Sequence, residues 1–297
     1  MAEQLHKLKR RMKSVSSTQK ITNAMKFVSA ARLNQATVRY NFVREQLSEV
    51  RYLFGATLSG LDEHLPKRLF GTQEGPTLYL VFSATKGFCG SFNTMMDREI
   101  EKAAEDPNGA LFITVGEKGR DHCDYLKYHR IKDAGVATME ALIYREAFKL
   151  AELIVDMYRD RGIGRAILVY PKYINSLYCE PGRIQLIPLE KDKLLREGGG
   201  RFPEPEVETL DMYSFTRDLL LQYESLIITE KQAEALVCEH SARRTAMNNA
   251  TDNAEEVMGK LSQRYNRARQ TEITNEIIEI IAGADAQRKT RPGESAF

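Results

Sequence analysis

The densest set of potentially reactive residues is the turn Lys86-Gly-Phe-Cys-Gly-Ser-Phe-Asn93. A glycine-bearing turn between a strand and a helix can hold a phosphate on backbone N–H groups, and Cys89 could act as a nucleophile. The spacing matches neither G-x-G-x-x-G nor G-x-x-x-x-G-K-[ST], and no residue nearby in sequence identifies an activating base. We therefore interpret the turn as structural, with Gly87 and Gly90 supplying special backbone angles. The alternative is an α/β enzyme that binds a phosphorylated ligand at residues 86–93.

The other residues that could bind a metal or perform catalysis are dispersed. Cys89, Cys123, Cys179 and Cys238 contain no C-x-x-C pair and no His/Cys pair at zinc spacing. None of the five histidines belongs to an H-E-x-x-H pattern. The sequence therefore predicts reduced thiols and contains no catalytic constellation, no metal site and no cofactor site.

The two ends of the chain are long stretches without proline. The first lies before Pro66, and the second runs from Val207 to Ala282. In both stretches apolar residues recur at spacings of three and four, which is typical of helices that pair along a seam. The predicted stripes are Leu5, Leu8, Met12, Val15, Ile21, Met25, Val28, Phe42, Leu47, Val50 and Leu53, and Tyr213, Leu219, Leu220, Tyr223, Leu226, Ile227, Leu236, Val237, Met247, Val257, Met258, Leu261, Tyr265, Ala268, Ile273, Ile277, Ile280 and Ile281.

Charge agrees with pairing of the two stretches. Residues 1–60 carry eleven basic and three acidic side chains, whereas the balance after residue 206 is acidic. Two helices from opposite ends of a chain, with a domain between them, pair antiparallel. The sequence therefore predicts an antiparallel coiled coil of the two terminal helices.

Between these stretches the pattern changes to short apolar runs that alternate with helical segments. Predicted strands are 77–83, 110–115, 165–170 and 183–187, and predicted helices are 92–104, 118–129 and 142–159. This alternation predicts a Rossmann-like α/β domain with a mostly parallel sheet, inserted between the terminal helices. The predicted organisation is an N-terminal coiled-coil helix at 1–65, an α/β domain at 76–197, a linker at 198–206, a C-terminal coiled-coil helix at 207–286 and a polar tail at 287–297.

Overall charge and hydropathy limit the class of partner. The formal net charge of +2 gives no argument for nucleic acid, although a basic scaffold that binds nucleic acid through residues 7–32 stays as a second alternative. No apolar run is long enough to span a bilayer, and cations interrupt the N-terminus where a signal peptide needs an apolar core. We predict a cytoplasmic protein that touches membranes only through partners.

Four segments together resemble the gamma subunit of F-type ATP synthases, the central stalk of F1. They are 18–32, 83–90, 239–254 and 265–283, and the likeness spans nearly the whole chain in order. The resemblance implies a coiled-coil shaft inside a ring of three alpha and three beta subunits. It also implies an α/β foot that sits with the epsilon subunit on the membrane c-ring. Such a shaft performs no chemistry itself, and it couples proton or other ion transport to ATP synthesis or hydrolysis at the cytoplasmic face of a bacterial plasma membrane.

The resemblance also implies roles for particular residues. Beta-subunit contacts are expected at Lys20, Met25, Lys26, Arg243, Gln270, Thr274 and Glu276; an apolar bearing at Ile277, Ile280 and Ile281; and foot or docking positions at Gly87, Cys89, Gly90, Asn93, Glu204 and Pro205. The sequence departs from the family pattern at Thr85, where an acidic residue is usual, at Ser91, where glycine is usual, and at Asn23, where lysine is frequent. The paired-cysteine insertion of chloroplast relatives is absent, so thiol control is not predicted.

Overall fold

The computed structural model describes residues 2–60, 71, 73–131, 136–190 and 212–289. The predicted linker, with Glu204 and Pro205, and the end of the predicted tail from residue 290 lie outside the described residues. The chain divides into two compact units: a helical unit of Met1–Lys26 with Met247–Phe297, and an α/β unit of Phe27–Ala246.

The helices and strands agree in type with the sequence prediction. They are α1 (Ala2–Gly60), β1 (Thr77–Phe82), α2 (Phe92–Ala104), β2 (Ala110–Val115), α3 (Glu117–Tyr125), α4 (Tyr144–Arg159), β3 (Arg165–Asn175), β4 (Tyr178–Ile187) and α5 (Met212–Lys289). The last two strands are longer than predicted, because they continue into a hairpin whose exposed end lacks the apolar run that marks a buried strand. The predicted fold class, an α/β domain between two terminal helices, is confirmed.

Within the described residues the strands form a mixed sheet in the order β2-β1-β3-β4. Strand β1 pairs in parallel with both neighbours, with Leu78 opposite Leu111 and Ala166. All of β1 is buried, as expected for a central parallel strand that is covered on both faces. Strands β3 and β4 pair antiparallel around a turn at Ser176 and Leu177.

The α/β unit has a hydrophobic core shared by the sheet and both long helices. Leu47 and Phe54 of α1 and Leu220 and Ile228 of α5 belong to the same buried cluster as the strands. The ring of Phe54 lies 4.8 Å from that of Tyr223, centroid to centroid. Burial of side chains from α1, α5 and the sheet in one cluster supplies the main favourable free energy for this arrangement.

One series on the covered face of α1 alternates strictly between intervals of three and four residues. Its buried or half-buried members are Leu5, Leu8, Met12, Val15, Gln19, Thr22, Lys26, Ser29, Leu33, Ala36, Tyr40, Val43, Leu47, Val50 and Phe54. Other covered positions, such as Met25, Thr37 and Arg51, lie beside this series. In the helical unit, α5 presents a matching series at Met247, Thr251, Ala254, Met258, Leu261, Tyr265 and Ala268. The Thr251 hydroxyl lies 2.9 Å from that of Thr22. This period of 3.5 residues is that of a coiled-coil seam.

Several apolar residues that the sequence analysis placed on the stripes are exposed, so the prediction was wrong at those positions. On α1 they are Ile21, Val28, Phe42 and Leu53, and on α5 they are Val257, Ile273, Ile277, Ile280 and Ile281. The α1 seam instead uses small or polar residues such as Gln19, Thr22, Ser29 and Ala36. Small side chains allow close helix packing, and bulky side chains are then directed outward.

Glu224 is an unusual group inside the α/β unit. It is 2% exposed, and among the described residues neither carboxyl oxygen has a hydrogen-bond partner. It lines a small cavity of about 60 Å³ together with Arg51, Glu190 and Lys231. Burial raises the pKa of Glu224 well above its usual 4.5, because the charged form loses its hydration. The folded chain therefore favours the neutral acid.

This burial predicts a pH dependence of stability. Above about pH 4.5 the unfolded chain has released the Glu224 proton while the folded chain retains it, so stability falls as pH rises toward the folded-state pKa. Glu224→Gln has no proton to release. We therefore expect its free energy of unfolding, measured by thermal denaturation, to exceed that of the parent by an amount that grows from pH 5 to pH 8 and reaches roughly 1–3 kcal/mol. The exposed Glu255→Gln on the same helix is the control. An equal effect of the two substitutions at both pH values would contradict the assignment.

Candidate functional site

The turn at residues 86–93 connects the end of β1 to the start of α2. Gly90 has a φ of +59°, in the left-handed region that favours glycine, as the sequence analysis predicted. Gly87 does not have a positive φ, so the prediction that it supplies a special backbone angle is wrong. Phe88 adopts φ +61° instead, and its side chain is 71% exposed. A bulky residue in this conformation carries backbone strain and presents its ring outward.

Cys89 lies on the inner side of this turn and is buried. The Asn93 side-chain amide donates to the Cys89 sulfur over 3.3 Å, which ties the turn to the first residues of α2. Burial raises the pKa of the Cys89 thiol and disfavours the thiolate that a nucleophile requires. Cys89 and Asn93 are therefore suited to holding the shape of the turn. Among the described residues, no cluster of His, Cys, Asp and Glu could hold a metal ion.

Arg243 of α5 joins this turn to the long helix. Its guanidinium pairs with Glu239 one helical turn earlier, and Nη2 lies 3.4 Å from the carbonyl oxygen of Lys86 and 3.5 Å from that of Gly87. The Arg243 residue is only 9% exposed. A contact of Arg243 with another subunit was expected from the sequence, and in the structure this side chain makes intramolecular contacts that position the turn.

Two neighbours of Arg243 were not singled out from the sequence. Burial, assisted by the charges of Arg243 and Arg32, lowers the pKa of His240 to about 4. A neutral His240 can accept a hydrogen bond from Arg243, whose Nη1 lies 3.4 Å from Nδ1. Burial also raises the pKa of Glu239, and the Arg243 charge opposes this rise. The i,i+4 spacing of Glu239 and Arg243 is the one sequence signal that could have identified their pairing.

In the helical unit, the end of α5 has little cover. Thr22 pairs with Thr251, so residue numbers across the antiparallel seam sum to 273, and Ala2 lies opposite residue 271. The later residues of α5 extend past the described start of α1. Ile277, Ile280 and Ile281 are 51%, 71% and 57% exposed. This run of exposed isoleucines is an apolar surface that a partner could cover.

The polar positions expected to contact a partner lie on the same part of α5 and on α1. Gln270, Thr274 and Glu276 are exposed, and the Thr274 hydroxyl donates to the Gln270 carbonyl oxygen over 2.8 Å. On α1, Lys20 is exposed, whereas Met25 and Lys26 are half-buried, with Lys26 at a seam position. These surfaces present hydrogen-bonding groups and positive charge, which suits contact with another protein rather than a chemical reaction.

A groove lies elsewhere in the α/β unit. It has a volume of about 480 Å³ and lies between α2, the β3–β4 hairpin and α5. The turn at 86–93 contributes only Ser91 and Phe92 to its lining, so the suggested phosphate site and the groove are largely separate. Within the described residues, no helix combines the length and the hydropathy needed to cross a membrane.

Comparison with known proteins identifies relatives over nearly the full chain. The protein-family model described as ATP synthase matches residues 4–287. The chain is 33% identical over 281 residues to the ATP synthase gamma chain of Moorella thermoacetica, covering 94% of this chain and 97% of the relative. It is 35% identical over 286 residues to the ATP synthase gamma chain of Pelotomaculum thermopropionicum, covering 95% and 98%.

Two solved structures with a similar fold are those of chains in mitochondrial complexes. A chain in the cryo-EM structure of the Euglena gracilis ATP synthase OSCP/F1/c-ring, rotational state 3, has a TM-score of 0.69 at 22% identity and covers both chains completely. A chain in the rotor of the same ATP synthase, rotational state 1, has a TM-score of 0.64 at 21% identity, with coverage of 92% of this chain and 100% of the other. These likenesses concern the fold.

The buried ion pair of Arg243 with Glu239 predicts that substitution of Arg243 lowers stability far more than substitution of its neighbour Arg244. Arg243→Ala leaves the Glu239 carboxylate buried without its cation, and we expect a loss of about 3–5 kcal/mol in the free energy of unfolding. Arg244→Ala, at the exposed neighbouring position, should change stability by less than about 0.5 kcal/mol. Urea unfolding of the three proteins tests this prediction. Similar losses in the two variants would show that the Arg243 contacts contribute little.

Proposed function

Because the chain belongs to the ATP synthase gamma chain family, we propose that it is the central rotor shaft of an F-type ATP synthase. It couples ion-driven rotation of the membrane c-ring to conformational cycling of the catalytic beta subunits, in ATP synthesis or hydrolysis. Its partners are the ring of three alpha and three beta subunits, the epsilon subunit and the c-ring. The observation that carries the proposal is the match over residues 4–287, which spans both helices and the α/β domain.

The mechanism is coupling by unequal contact. A shaft that bound the open and closed beta subunits equally would shift no equilibrium when it turned. The chain therefore acts through side chains that meet one beta conformation more favourably than another. We assign this role to Lys20, Met25, Lys26, Arg243, Gln270, Thr274 and Glu276. Their cations and amides can form hydrogen bonds with carboxylates or carbonyl groups of the ring, and bonds that involve a charged group are the stronger ones.

Arg243 has a second task in this scheme. Its contacts with Glu239 and the carbonyl groups of Lys86 and Gly87 occupy most of the guanidinium. We propose that it supports the turn at 86–93 from within, and that a beta subunit meets the small part of the side chain that stays accessible. The exposed ring of Phe88 is the part of the turn that a partner would cover first.

The end of α5 suits a bearing. Ile277, Ile280 and Ile281 offer apolar contact without directional hydrogen bonds, so a surrounding apolar collar can slide over them with small changes in energy. Gly87, Cys89, Gly90 and Asn93 would shape a docking surface of the foot. Glu204 and Pro205 are assigned to the foot by resemblance alone.

We propose that the chain is non-catalytic by itself, because its role is to transmit rotation to nucleotide sites on the beta subunits. Its place would be at the cytoplasmic face of a bacterial plasma membrane, held there by its partners. Native mass spectrometry of the complex reconstituted with cognate alpha and beta subunits tests this function. We expect three copies of each of those subunits with one copy of this chain, and a chain that stays alone or forms a homodimer would overturn the proposal.

Charge in the bearing should oppose assembly. Ile277→Asp with Ile280→Asp would place carboxylates in an apolar collar, and we expect at least about a tenfold loss of affinity for the alpha–beta ring. Both positions are exposed in this chain, so the variant should keep its fold, and its circular dichroism spectrum should match that of the parent. Ile277→Leu with Ile280→Leu is the matched apolar control. Unimpaired assembly of the aspartate variant would show that this end is not enclosed.

Substitutions at two exposed threonines can distinguish a residue that takes part in coupling from an ordinary residue of the helix surface. Thr271 and Thr274 are both exposed, and each donates its hydroxyl to the carbonyl oxygen four residues earlier. Gln270→Leu with Thr274→Val should lower ATP turnover of the assembled complex severalfold, because hydrogen bonds to the ring are lost. Thr271→Val should leave turnover near the parental rate. Equal rates in both variants would make Gln270 and Thr274 ordinary surface positions.

A further inference from the structure

One face of α5 holds the β3–β4 hairpin at successive helical turns. The Tyr173 backbone N–H donates to Glu234 over 2.9 Å. The Ser241 hydroxyl donates to the carbonyl oxygen of Ser176, at the hairpin turn, over 2.5 Å. Between these contacts, at Cys238, the sulfur lies 3.4 Å from the carbonyl oxygen of Pro171. The hairpin and the helix are thus held in a defined register around Cys238.

Cys179 lies on the opposite strand of this hairpin, paired with Tyr173 in the β3–β4 register. Residues paired across antiparallel strands share a face, as do residues two apart along a strand, so Pro171, Tyr173 and Cys179 lie on one face of the hairpin. Cys238 contacts the hairpin at Pro171, which places Cys179 beside it. The two cysteines are 59 positions apart in the chain (238 − 179), and both sulfurs are free. The S–H of Cys238 donates to the carbonyl oxygen of Pro171, two residues along β3 from Tyr173, the partner of Cys179.

The two thiols differ in their access to solvent. Cys179 is partly exposed and lines the 480 Å³ groove between α2 and the hairpin. Arg183 donates two hydrogen bonds to Oε2 of Glu99, from Nε over 3.0 Å and from Nη2 over 2.9 Å, and these bonds tie β4 to α2 at the wall of the groove. Cys238 is completely buried behind it. A small solute can approach Cys179 from the groove, whereas Cys238 is closed to solvent.

The chemistry of the two thiols differs in the same direction. The neighbouring Cys238 thiol lowers the pKa of Cys179 below its usual 9, although partial burial acts against this. The neighbouring Cys179 thiol and burial raise the pKa of Cys238. The thiolate is the reactive form of cysteine, so the accessible sulfur is also the nucleophilic one. An accessible thiolate beside a second thiol is the arrangement found in redox-sensing pairs.

We propose that Cys179 and Cys238 are a peroxide-sensitive thiol pair, which closes to a disulfide that links the β3–β4 hairpin to α5. In the first step the Cys179 thiolate attacks one oxygen of hydrogen peroxide. The O–O bond breaks, the sulfur becomes a sulfenic acid, and the released hydroxide takes a proton to form water. In the second step the Cys238 sulfur attacks the sulfenic sulfur, its proton leaves with the hydroxyl group as a second water, and the disulfide forms. A dithiol reductant reverses the reaction by thiol–disulfide exchange.

This pair is distinct from the paired-cysteine insertion of chloroplast relatives, which the sequence lacks. It uses residues inside the α/β unit, and it does not depend on the proposed function. The disulfide would close a chain segment that contains β4 and the start of α5. By restricting the unfolded chain, it should raise the midpoint of thermal unfolding by about 5 °C.

The test is peroxide treatment of the full-length folded chain, followed by alkylation and peptide mapping without reductant. We expect a loss of two hydrogen atoms in the intact mass and one linked peptide pair that contains Cys179 and Cys238. In Cys238→Ser the sulfenic acid on Cys179 should persist and react with dimedone. In Cys179→Ser, Cys238 should stay reduced. Cys123→Ser is the matched control, since burial raises the pKa of Cys123 to about 12, and the link should form as in the parent.

A second measurement needs no variant. Iodoacetamide should alkylate Cys179 of the folded chain at least about tenfold faster than Cys89 or Cys123, and this preference should disappear in denaturant. Absence of the Cys179–Cys238 link after peroxide treatment would overturn the proposal. Links to Cys89 or Cys123 at comparable yield, or equal alkylation rates in the folded chain, would overturn it as well.

Discussion

Burial of the middle of α5, from residue 220 to residue 243, is the constraint on which the rest of the α/β unit depends. This segment is covered by side chains of α1 and by the sheet, so most of its residues are buried whatever their polarity. Every polar group there must find a partner inside the protein or remain neutral. The contacts that satisfy these groups also hold the neighbouring elements in place. Glu234 and Ser241 hold the hairpin, and Arg243 holds the turn after β1.

The buried polar groups divide into paired and unpaired ones, with different consequences. Arg243 and Glu239 form a close ion pair whose value lies mainly in orientation, because buried pairs gain little net stability over apolar packing. Glu224 has no hydrogen-bond partner among the described residues and is favoured in its neutral form. The segment therefore gives up some stability, and in return it sets the positions of two separate elements, the hairpin and the turn after β1.

The helical unit follows the opposite physical rule. Its seam combines large apolar residues with small ones such as Thr22, Thr251 and Ala254, and several isoleucines lie outside it. Exposed isoleucines at the end of α5 are unfavourable in water, and burial by a partner would recover that free energy. For a rotor shaft this division is useful, because a thin rigid pair of helices can offer different side chains to a surrounding ring in different orientations. The chain can then bias conformational equilibria in subunits that carry out the chemistry.

Local patterns in the sequence were sufficient for the fold class. Periods of two and of three and four residues identified most strands and helices, and α2 and β2 have the predicted bounds, because these periods reflect backbone geometry. Motifs along the chain also indicated the gamma subunit family, which the comparisons support. The sequence prediction placed the bulky residues Ile21, Val28 and Phe42 in the seam because they are apolar, but they are exposed. Close packing between the helices decides which apolar residues enter the seam. Only the tertiary structure decided the left-handed conformation of Phe88, the contact of Arg243 with Lys86 across 157 residues and the contact of Cys238 with Pro171. Each of these features depends on contacts between residues that are distant in the sequence, and no local period records such contacts.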